Sequence, residues 1–67
     1  MMEIVVNGEP RRVDDALTAS DLIEELELGG KRLAVEINEE LVPRSELPGY
    51  RLSPGDAVEI VVAIGGG

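Results

Sequence analysis

Residues 57–67 read Ala57-Val58-Glu59-Ile60-Val61-Val62-Ala63-Ile64-Gly65-Gly66-Gly67. Val58, Ile60, Val62 and Ile64 alternate with Ala57, Glu59, Val61 and Ala63, which is the period of a strand that turns one apolar face to a core. The strand is expected to span 57–64. It runs into three glycines, which carry no side chains and reach backbone conformations closed to residues with a Cβ. The α-carboxylate of Gly67 is then the one functional group this segment presents, and it is the candidate reacting group.

Working outward, Ser53-Pro54-Gly55-Asp56 is a reverse turn, with Pro setting φ at its second position and Gly accepting the third. Arg44 to Leu52 lacks a period and reads as irregular, with a turn at Pro48-Gly49 and Tyr50 as a packed loop anchor. Leu41-Val42 is a short strand, confined to an edge or an end by Pro43. Leu33 to Ile37 is a clear strand with Leu33, Val35 and Ile37 on one side and Ala34 and Glu36 on the other, and Asn38-Glu39-Glu40 turns the chain after it. Thr18 followed by Asp21 resembles a capping box with Asp in place of Glu. It precedes Leu22, Ile23 and Leu26 on one face of a helix expected over 19–28. Gly29-Gly30 supply the positive φ that closes it.

At the start, Met2 to Val6 runs into Asn7-Gly8, a hairpin dipeptide, with a return strand over 10–13 that places Arg11 and Arg12 at an edge. Asp14-Asp15 favour a turn, and two adjacent acids without further placed oxygens do not satisfy a hard cation, so no metal is expected. The order is hairpin, helix, strand, short strand, long strand. A lone helix must bury its apolar stripe on the sheet. The fold class is therefore α+β, a β-grasp or ubiquitin-like layout with a mixed sheet of four to five strands packed on one helix. One domain covers 1–64, and 65–67 form a flexible glycine tail.

Composition narrows the function. Sixty-seven residues make one domain, near the size at which a chain buries only roughly 60% of its unfolded surface. There is no Cys and no His, which excludes disulfides, thiolate or imidazole metal sites, Cys nucleophiles and His bases. A single aromatic residue argues against base-stacking platforms. Fourteen acids against six bases give a net charge of −8, which repels phosphate backbones and anionic membranes, so neither nucleic acid nor membrane is an expected partner. Met1-Met2-Glu3 has no basic n-region or apolar h-region, and a cytoplasmic protein, monomeric alone, is expected.

Several of these stretches together carry a family likeness: the opening strand into Asn7-Gly8, Leu22-Ile23-Glu24-Glu25-Leu26, Pro54-Gly55-Asp56, and above all Ala34-Val35-Glu36-Ile37-Asn38-Glu39-Glu40-Leu41-Val42-Pro43-Arg44. Along its whole length the chain resembles the ThiS-type sulfur carriers of thiamine thiazole biosynthesis. The resemblance implies that Gly67 is adenylated, with ATP, by an E1-like ThiF-type adenylyltransferase. It further implies that the adenylate becomes a thiocarboxylate, which donates sulfur to a ThiG-type thiazole synthase. Gly65 and Gly66 would thread the partner's active site, Gly65 being a third glycine before the family's terminal pair. The chain itself would bind no cofactor and supply no catalytic residue.

Ordering a glycine tail costs about 1 to 2 kcal/mol of backbone entropy per residue, so contacts made by the domain body must offset it. The second sheet face, with Val5, Ala34, Val61 and Ala63 rimmed by Glu3, Glu36 and Glu59, is the expected docking patch. Lys31 and Arg44 read as surface charges, Arg44 with some claim to a partner contact. The nearest rivals are the molybdopterin synthase small subunit or another pathway's carrier, which share the tail chemistry. A rival of another class is a non-covalent ubiquitin-like adaptor. An enzyme is disfavoured because the usual acid, base and nucleophile sets are missing.

Overall fold

A computed structural model describes residues 1–64. Its elements are β1 (Met2–Val6), β2 (Glu9–Val13), α1 (Ala19–Glu25), β3 (Leu33–Ile37), β4 (Glu40–Val42), a 3-10 segment (Arg44–Gly49) and β5 (Ala57–Val62). They form one mixed five-stranded sheet in the order β2-β1-β5-β3-β4, with β1 and β5 parallel and the other pairs antiparallel. This is the β-grasp arrangement, and it puts the last strand at the centre of the sheet.

Both hairpins turn on two residues at positive φ, Asn7 (50°) with Gly8 (84°) and Asn38 (53°) with Glu39 (70°). Positive φ at both central positions matches the right-handed twist of the flanking strands. Asparagine is one of the few residues other than glycine that enter that region readily, which suits it to open each turn.

The helix is short, and a seven-residue helix is not stable in isolation. It persists because its ends are bonded and one face is buried. Thr18 Oγ1 accepts from the Asp21 N–H at 3.0 Å and Asp21 Oδ2 accepts from the Thr18 N–H at 3.1 Å, so the capping box is complete. Ala19, Leu22 and Ile23 are buried against the sheet residues Met2, Ile4, Val13, Val35, Ile37, Val42, Val58 and Ile60, with Leu17, Leu47 and Leu52 closing the core. Ile4 is fully buried.

Three sequence expectations are corrected. The helix stops at Glu25 rather than 28, and Gly29-Gly30 do not close it. Glu27 takes φ +60°, its N–H donates to the Glu24 carbonyl and the Leu28 N–H to the Ile23 carbonyl, both at 3.0 Å. This two-bond closure turns Leu26 and Leu28 back against the core, so partial burial of two leucines overrides the preference for glycine at the left-handed position. Arg44 to Gly49 is a 3-10 segment rather than irregular, and it places Leu47 in the core. Finally, β5 ends at Val62, and Ile64 is 97% exposed instead of sharing the inner face with Val58 and Ile60. The sheet and helix cover only the strand up to Val62. Among the described residues no helix is long and apolar enough to cross a membrane.

Candidate functional site

The candidate site starts from where the central strand leads. β5 is held between β1 and β3, and the Ala63 N–H donates to the Arg32 carbonyl at 2.9 Å, one step beyond the Leu33–Val62 register pair. The glycines then follow. Gly65, Gly66 and Gly67, the expected threading and reacting residues, lie outside the described residues.

Asparagine side chains grip β5 from both neighbouring hairpins. Asn7 Oδ1 accepts from the Ile60 N–H at 2.8 Å and its Nδ2 donates to the Ile60 carbonyl at 3.3 Å. Asn38 Oδ1 accepts from the Ala57 N–H at 3.0 Å while its Nδ2 donates to Asp56 Oδ1 at 3.0 Å. Asp56 is 8% exposed, and its other oxygen accepts from the Ser53 N–H at 2.8 Å. A buried carboxylate needs such donors to offset its lost hydration. Sequence reading assigned these residues to turns and missed what their side chains hold. The available signal was an Asn opening each of two turns, with an Asp just before the strand.

The outer sheet face carries the predicted docking residues. Ala34 and Val61 are register partners, and Ala63 joins them in an open depression lined also by Arg32, Leu33 and Arg44. Val61 is two-thirds exposed. Arg44 Nη1 donates to the Lys31 carbonyl at 2.9 Å, which braces the loop that follows the helix. Val5 is not part of this group. It pairs with Ala57, four residues or about 13 Å along β5 from Val61. Between the two clusters Glu36 and Glu59 face each other directly across β3 and β5, both exposed. They divide the patch instead of rimming it, because strict alternation puts Glu59 between Ala57 and Val61. Leu41, opposite Glu36 on β4 and 67% exposed, adds an apolar residue that the sequence reading left out.

The first acidic pair is used locally. Asp14 Oδ1 accepts from the Ala16 N–H at 2.8 Å, and Asp15 lies 3.2 Å from the N-terminal ammonium. Arg11 crosses to the helix side of the edge strand and meets Glu25 at 3.4 Å.

Comparison with known proteins agrees with this geometry. The chain matches the ThiS family over residues 4–67. It is 39% identical over 62 residues to the sulfur carrier protein ThiS of Thermus thermophilus, covering 92% of this chain and 95% of that protein. It is 41% identical over 66 residues to a thiazole synthase of Paramagnetospirillum magneticum, and there it spans 98% of its own length but 20% of the relative's. The crystal structure of the thiamine biosynthesis protein ThiS from Geobacter metallireducens superposes with a TM-score of 0.82 at 33% identity, covering 98% of this chain and all of that one. A family match over residues 4–67, with a ThiS structure superposing over 98% of the chain, identifies the chain as a member of the ThiS family.

Proposed function

We propose that the chain is a sulfur carrier for thiamine biosynthesis, in which the α-carboxylate of Gly67 becomes a thiocarboxylate that supplies sulfur for thiazole formation. The observation that carries the reading is the match to the ThiS family over residues 4–67, a span that includes the final glycines. A thiazole synthase containing a segment 41% identical to this chain supports a ThiG-type synthase as the acceptor.

The chemistry follows from the carboxylate. An α-carboxyl group with an ordinary pKa of roughly 3.3 to 3.7 is ionised at neutral pH, and a carboxylate is a poor acyl electrophile. Activation solves this in two steps. A carboxylate oxygen attacks the α-phosphorus of ATP and pyrophosphate leaves. Hydrosulfide then attacks the acyl carbon and displaces AMP, leaving the thiocarboxylate; a persulfide donor gives an acyl disulfide instead, and a thiol reductant releases the thiocarboxylate from it. Without Cys or His, the chain acts as a protein cosubstrate, and a ThiF-type adenylyltransferase supplies the catalytic groups and binds the ATP. Use of ATP through that partner fits a cytoplasmic location and a carrier that is monomeric between encounters.

In this reading Gly65 and Gly66 pass through the partner's active-site channel, and Ala34, Val61 and Ala63 dock the domain body beside it. Val5 belongs to a separate contact on the far side of the Glu36–Glu59 pair. Deleting Gly67 tests the assignment. The truncated chain keeps its fold and loses ATP-dependent activation, whereas adenylation at the normal rate would show that another group reacts.

A further inference from the structure

β1 and β5 run parallel over only two register pairs, Val5 with Ala57 and Val6 with Val58, before β1 turns away at Asn7-Gly8. At its two ends the seam is closed by the Val5 N–H bonded to the Asp56 carbonyl at 2.9 Å and the Asn7 N–H bonded to the Val58 carbonyl at 2.8 Å. β5 continues to Val62, so from Ile60 onward no strand among the described residues lies on its β1 side. The Asn7 amide takes that place at Ile60, accepting from its N–H and donating to its carbonyl. A primary amide has the donor and acceptor of one peptide unit, and here it extends β1 by one residue without extending its backbone. On the other side β3 and Arg32 hold the same strand as far as Ala63. Ile60 is therefore the last residue of β5 that these residues hold on the β1 side, five positions before Gly65.

We propose that Asn7 is a positioning residue for the tail chemistry. By clamping Ile60 it fixes the line along which the chain leaves the sheet, and with it the placement of the Gly67 carboxylate once the domain body has docked. The inference rests on the carrier reading. A bound carboxylate reacts only near its attack geometry, and a displacement of about 1 Å costs on the order of a hundredfold in rate. Loss of the clamp should therefore act on turnover and not on docking.

Asn7→Gly tests this, because glycine accepts the positive φ of Asn7 and keeps the turn while removing the amide. Amide hydrogen exchange on the free chain should show Ile60 exchanging about tenfold faster with Val35 unchanged. With an E1-like adenylyltransferase and ATP, pyrophosphate exchange should show kcat for the carrier about tenfold lower and KM within about twofold. Asn7→Asp keeps the acceptor for the Ile60 N–H and should fall between the two. Val13→Ala, in the core at the far end of the hairpin, lowers stability and should keep the wild-type kcat. An Asn7→Gly chain with wild-type kcat, or with its loss in KM alone, would overturn the proposal, as would an equal loss of kcat in Val13→Ala. Wild-type turnover separates the two levels: its absence overturns the carrier reading, while the ratio of variant to wild type decides the role of Asn7.

Discussion

The side-chain amide of Asn38 donates to the carboxylate of Asp56 at 3.0 Å, and through this pair the β3–β4 hairpin fixes the residue at which β5 begins. Asn38 also binds the Ala57 N–H, and Asp56 also binds the Ser53 N–H. Removing Asp56 leaves the part-buried Ser53 N–H unpaired, and removing Asn38 leaves the Ala57 N–H and the buried Asp56 carboxylate each short of a partner. Asp56→Ala is expected to cost about 1 to 3 kcal/mol in urea unfolding. Asn38→Gly keeps the positive φ and should cost about 1 kcal/mol from the lost bonds alone. Asn38→Ala should cost more, because alanine also strains at φ +53°. An Asn38→Gly chain as stable as wild type would mean that the network contributes nothing.

Helix and turn ends give predictions of opposite sign. Thr18→Ala breaks the capping box and should lower stability by about 1 kcal/mol. Glu27 and Glu39 sit at φ +60° and +70°, where a side chain costs free energy that glycine avoids. Glu27→Gly and Glu39→Gly should each raise stability by about 0.5 to 1 kcal/mol, the gain in native geometry exceeding the added unfolded-state entropy. Thermal unfolding measures all three, and a loss in either glycine variant would refute the strain argument.

The Glu36–Glu59 pair separates stability from partner binding. Like charges directly opposite on neighbouring strands are unfavourable, so Glu59→Lys should stabilise the free domain by about 0.5 kcal/mol. The same change reverses a charge at the centre of the outer face and should weaken the adenylyltransferase encounter, read as a raised KM. Val61→Asp should raise KM as well, with unfolding hardly changed because Val61 is exposed. Unaltered KM in both variants would place the docking surface elsewhere.

Much of the fold was legible because the strands alternate cleanly and each turn carries its own chemistry. Val35 and Ile37 against Ala34 and Glu36 fixed the faces of β3, and Asn7-Gly8 and Pro54-Gly55 marked turns that the structure keeps. The helix end at Glu25 was not legible, since it depends on Leu26 and Leu28 competing for the core, which is a tertiary effect. The docking face was read residue by residue but not as a surface. Alternation lists which side chains share a face, whereas the register decides that Val61 lies beside Ala34 and that Val5 lies beyond two glutamates. The asparagine grips on Ile60 and Ala57 link residues 53 and 19 positions apart, a pairing that no local pattern reveals.

The central claim is that this domain exists to present the Gly67 carboxylate for sulfur loading. Its most direct test is the intact mass of the chain after incubation with an E1-like ThiF-type adenylyltransferase, ATP and a sulfur source, with fragmentation to place the change. The account predicts replacement of one oxygen by sulfur, confined to Gly67. An unmodified chain beside a partner that loads another ThiS carrier under the same conditions would contradict it.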